Sequence, residues 1–100
     1  MNSHNTQDPM TLFRIFVEDM NARDKLTELV STAFLLDLTI YYGYGLWRGG
    51  QQKQTAIIEL YGPESLRGHV TALAHILKEA FNQSVVAVAE HNDRVSFYHV

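Results

Sequence analysis

The chain has 100 residues, of which 46% are hydrophobic and 19% charged. That length suits one small globular domain, and the lack of any cysteine excludes disulfide frameworks, thiolate zinc sites and thiol catalysis. Eight Lys and Arg against eleven Asp and Glu leave a net charge of −3, the wrong sign for a dedicated nucleic-acid binder.

Residues 1–10 are polar and approach their end at Asp8-Pro9; they read as a flexible leader, with residues 11–100 as a single domain. No basic segment followed by an apolar one opens the chain, and no apolar run is long enough to span a bilayer. The expected location is therefore the cytoplasm, with no membrane partner. Leu12 to Val17 alternate as a strand, with Phe13, Ile15 and Val17 on one face and Leu12, Arg14 and Phe16 on the other. Asn21 and Asp24 have the spacing of a helix cap, and Leu26, Leu29, Val30, Ala33 and Phe34 follow at helical period. A helix is expected from about Ala22 to Leu35.

Leu38 to Trp47 is rich in Tyr and β-branched residues and reads as the second strand. Gly49-Gly50 opens a polar connection to a third strand, Thr55 to Tyr61, and a hairpin is the simplest way to join the two. Gly62-Pro63 ends it, with Pro63 suited to the first turn of a helix. Leu66, Val70, Leu73, Leu77, Ala80 and Phe81 supply that helix's apolar stripe, and Asn82 stops it. Val85 to Ala89 and Arg94 to Val100 complete the chain as two strands joined at Asn92-Asp93.

The order β-α-β-β-α-β plus a C-terminal strand predicts an α+β, ferredoxin-like sandwich, an antiparallel sheet with two helices on one face. Leu12, Phe16, Tyr41, Trp47, Val86 and Val88 make several strands apolar on both faces. The uncovered face is expected to meet another copy of the chain, a homo-oligomer.

The segment from Tyr41 to Lys53 carries the strongest functional signal. Gly43 and Gly45 share a strand face, which suggests close approach by a backbone, a ring or a ligand. From Leu38 to Ile58 there are two cations, Arg48 and Lys53, and no acid, whereas residues 1–40 carry six acids and three bases. A small anionic ligand held by backbone N–H groups and Arg48 is one reading; a bulged hairpin with a polar tip is the other.

Other chemistries find less support. His69 and His75 diverge around their helix, so no metal site is expected. Glu18 and Asp19 point to opposite strand faces and read as a lead into the helix. No serine sits in a nucleophile elbow, so no catalytic residues and no enzymatic activity are expected. Stacking aromatics of the RNA-binding kind are missing from the third strand before Tyr61.

The run Gly43-Tyr44-Gly45-Leu46-Trp47-Arg48-Gly49, its polar loop and the strand Thr55 to Leu60 resemble the PII signal-transduction proteins, as does Asp93-Arg94-Val95 near the last strand. The resemblance implies a ferredoxin-like homotrimer that binds nucleotides or other small anions between subunits. Gly43, Gly45 and Gly49 match that family's glycines and Arg48 its basic residue. Trp47, Gln83-Ser84, Phe97 and His99 stand where the family has other residues, so a divergent member with another ligand, or none, is expected. The resulting expectation is a non-catalytic signalling protein. Its binding site would comprise Tyr41, Gly43, Gly45, Trp47, Arg48, Gly49, Lys53 and His99. The alternative is a protein-interaction module, for instance a phage inhibitor or a sponge for a signal nucleotide, that docks through the aromatic hairpin.

Overall fold

The computed structural model describes residues 10–18, 21–34, 36–46, 50, 52–92 and 95–100. Its elements in chain order are β1 (Met10–Val17), α1 (Arg23–Ala33), β2 (Thr39–Leu46) and β3 (Gln52–Pro63). A single 3₁₀ turn (Glu64–Leu66) then leads into α2 (Arg67–Ala80), followed by β4 (Ala87–His91) and β5 (Val95–His99). The five strands form one antiparallel sheet in the order β2-β3-β1-β4-β5. This is the expected ferredoxin-like sandwich with an added edge strand.

Alternation within β1 decides which face meets the helices. Phe13, Ile15 and Val17 are fully buried, and Ile58 and Leu60 of β3 and Val88 of β4 join them. Leu26 and Val30 of α1 and Val70, Leu73 and Leu77 of α2 close over this face. Each such side chain contributes about 1.5–3 kcal/mol of burial. Glu90 of β4 is also buried there, and both its oxygens accept hydrogen bonds at 2.6 Å from Arg67, the first residue of α2.

The element ends differ from expectation for local reasons. Ala22, not Asn21, occupies the N-cap of α1, its carbonyl accepting the Leu26 N–H at 3.0 Å, and no side chain caps that end. β3 is longer than expected at both ends: it starts at Gln52 within the polar connection and runs to Pro63, which stands opposite Met10. Pro63 thus closes a strand and precedes the 3₁₀ turn, so it does not open the helix. Asn82 does stop α2. It adopts a left-handed φ of 52°, with Gln83 N–H reaching the Lys78 carbonyl at 2.8 Å and Asn82 N–H that of Glu79 at 3.2 Å, a Schellman closure.

The fourth strand starts later than expected, at Ala87, although Val86 and Val100 still exchange backbone hydrogen bonds at 3.2 and 2.9 Å. That register corrects one assignment. Val86 and Val88 face the helices, and β4 gives Ala87 and Ala89 to the other side. The leader, apart from Met10, lies outside the described residues. No helix among the described residues is long and apolar enough to cross a membrane.

Candidate functional site

The sheet face away from the helices is hollow at one end because β2 and β4 present small residues to it. The register sets Tyr41, Ile57, Phe16, Ala87 and His99 in one lateral row across all five strands. A second row runs Thr39, Glu59, Arg14, Ala89 and Phe97. Beyond the first row, Gly43 faces Thr55 and Gly45 faces Lys53. Glycines on β2 and alanines on β4 leave space, and the larger side chains of β1 and β5 stand around it.

The result is a cavity of about 410 Å³ lined by Gly43, Tyr44, Gly45, Thr55, Ile57, Phe16, Glu18, Ala87, Phe97 and His99. That volume lies within the usual range for small-molecule sites, and the mixture of apolar walls with a few polar groups is typical of them. Phe16 and Phe97 lie 6.1 Å apart between ring centroids, and the His99 ring meets Phe97 edge-on at 5.8 Å. A Cβ at Gly43 would meet Ile57 Cδ1 at 3.9 Å, an ordinary contact. Packing within the chain therefore does not require glycine there. What the glycine preserves is the hollow.

Glu18 is the acidic group in this lining. Partial burial pushes its carboxyl above the usual range, and the charges of Lys53 and His99 pull it back in part. Among the described residues no hydrogen bond or ion pair reaches it. Elsewhere on the open face, Arg14 Nε donates to Glu59 Oε2 at 2.7 Å and the Tyr41 hydroxyl donates to the same oxygen at 2.9 Å. Both donors hold the Glu59 carboxyl below its ordinary range, Arg14 more strongly.

Of the residues expected from sequence, Gly43, Gly45 and His99 come together in the hollow. Lys53 stands beside it, close enough to act on Glu18. Tyr41 is on the same face but turns its hydroxyl to Glu59, away from the lining. Trp47, Arg48 and Gly49 lie outside the described residues. Phe16, Glu18, Thr55, Ile57, Ala87 and Phe97 were not anticipated. The sequence suggests Glu18 as a lead into α1, yet it continues the alternation of Leu12, Arg14 and Phe16, a signal sufficient to place it on this face.

No family model matches the sequence, and no curated protein matches it significantly. Among solved structures, a phage SAM lyase in complex with S-methyl-5'-thioadenosine matches 93% of this chain and 90% of its own, with a TM-score of 0.73. The two chains share a fold. Their sequence identity is 22%. The likeness supports a small, divergent α+β protein and does not single out the PII family.

It also overturns the expectation of a non-catalytic protein, because the protein that shares this fold is an enzyme. That expectation rested on the lack of a nucleophile-elbow serine and of a facing pair of acids in the sequence. A sulfonium compound needs neither, since its sulfur is already a good leaving group. Cleavage places its demands on binding and orientation, which hydrophobic walls and a few polar groups can meet.

Proposed function

We propose that the hollow on the open sheet face binds an adenosyl sulfonium compound and that the protein is a lyase cleaving S-adenosylmethionine to S-methyl-5'-thioadenosine. The observation that carries this reading is the match of fold over nearly the whole chain to a SAM lyase holding that thioether, taken with a cavity of suitable size and lining. The rings of Phe16, Phe97 and His99 offer faces and edges to an adenine base. Gly43 and Gly45 let the ligand approach the β2 backbone closely.

This reading replaces the anion expected from sequence. Among the described residues the lining holds a carboxylate and no Lys or Arg, which suits a ligand with positive charge. In the reaction the bond between sulfur and the four-carbon fragment breaks, and its electron pair goes to sulfur. The sulfonium becomes a neutral thioether. The carbon fragment balances the change by losing a proton to form a double bond, or by closing its own carboxylate oxygen onto the carbon that left sulfur.

Incubating the purified protein with S-adenosylmethionine and separating the products tests the assignment. Time-dependent formation of S-methyl-5'-thioadenosine in proportion to protein is the expected result. No product and no binding would remove the reading and return weight to a protein-docking role for the aromatic hairpin, where Tyr41 and Tyr44 are exposed.

A further inference from the structure

We propose that Glu18 makes the hollow select a positively charged sulfonium over the neutral thioether that cleavage leaves behind. The inference rests on the adenosyl reading of the site and adds a residue with a specific task. Glu18 stands in a lining whose other members are mainly apolar or aromatic. The other partly or fully buried carboxylates described above have cations of their own: Glu59 is paired with Arg14 at 2.7 Å, and Glu90 with Arg67 at 2.6 Å. Glu18 has no such pairing among the described residues. It is a carboxylate at a cavity wall whose position a ligand cation can complete.

The surroundings strengthen that choice. Phe16 and Phe97 present ring surface to the same cavity, and aromatic faces attract cations. Among the described residues, the charged or titratable groups acting on Glu18 are Lys53 from β3 and His99 from β5. Both weaken its pull on a cation, so the pair tunes the preference. Removing Lys53 should therefore sharpen it. Cleavage cancels the charge that Glu18 attracts, so the hollow holds the product less firmly than the substrate, which favours release.

The test compares two uncleaved ligands with the same adenosyl and amino-acid ends. Sinefungin carries an amine cation where the sulfonium stands, and S-adenosylhomocysteine carries a neutral thioether. Calorimetric titration of the full chain should show sinefungin bound about tenfold more tightly, as expected for a cation near a partly desolvated carboxylate. Glu18→Gln should bring the two affinities together, chiefly by weakening sinefungin. Lys53→Gln should widen the gap. An unchanged ratio in both variants would overturn the role of Glu18 while leaving the adenosyl site standing. Failure of both ligands to bind the unaltered chain would instead contradict the site itself, and this inference with it.

Discussion

The rings of Phe16 and Phe97 approach to 6.1 Å between centroids, tilted by 34°, although β4 lies between their strands. They meet because β4 offers this face only alanines in the intervening positions: Ala87 stands between Phe16 and His99, and Ala89 opposite Phe97. The same small residues that allow the ring contact open the hollow beside it.

Phe97 is more exposed than buried, at 58%, so its removal should affect ligand binding more than folding. Phe97→Ala is expected to weaken S-methyl-5'-thioadenosine binding about tenfold by loss of ring contact, with a stability cost below about 1 kcal/mol. Titration calorimetry and thermal melting of the same preparation separate the two effects.

Gly43→Val provides a complementary test by filling the site. The added side chain meets no close obstacle at Cβ, and a β-branched residue suits a strand. The variant should melt within a few degrees of the unaltered protein and lose most affinity for S-methyl-5'-thioadenosine. Retained affinity would show that the ligand lies elsewhere.

The buried carboxylate of Glu90 depends on Arg67, whose guanidinium anchors the start of α2 to β4. Arg67→Ala leaves that charge without its principal partner. Since Arg67 itself is partly exposed, the expected loss is about 2–3 kcal/mol, less than the roughly 3–5 kcal/mol of a fully buried pair. Urea unfolding should show a lower midpoint with an unchanged slope.

Acid should act through the same groups. Arg67 holds the Glu90 carboxyl below its ordinary range and Arg14 does so for Glu59. Carboxyls depressed on folding stabilise the folded state above their unfolded value, and that stability is lost as pH falls through the folded value. Melting temperature should therefore fall as pH drops below about 4.5, the ordinary carboxylate value. Glu90→Gln should flatten the dependence, and a pH profile of melting for both proteins checks it.

Period and turn chemistry made most of the fold legible. Strict alternation from Phe13 to Val17 identified the core face of β1, the Leu66 to Phe81 stripe identified α2, and Asn82 marked its end. Features that depend on tertiary pairing were harder to read. Pro63 joined β3 because Met10 stands opposite it, and Val86 and Val88 could be assigned to the core only once the β1–β4 register was known. At the site, Gly43 and Gly45 stood out because glycine weakens an ordinary strand. Phe16, Ala87 and Phe97 gave no local sign of a shared cavity, since they come from three different strands. Glu18 was readable by alternation but was obscured by its nearness to the start of α1.

The site itself is tested most directly by nuclear magnetic resonance of the isotope-labelled protein titrated with S-methyl-5'-thioadenosine. The account predicts concentration-dependent shifts at the amides of Glu18, Gly43, Gly45, Ala87 and Phe97, with the α2 amides of Val70 to Leu77 unmoved. Shifts confined to the helical side, around Phe34, Leu36 and His69, or no shifts at all, would contradict it.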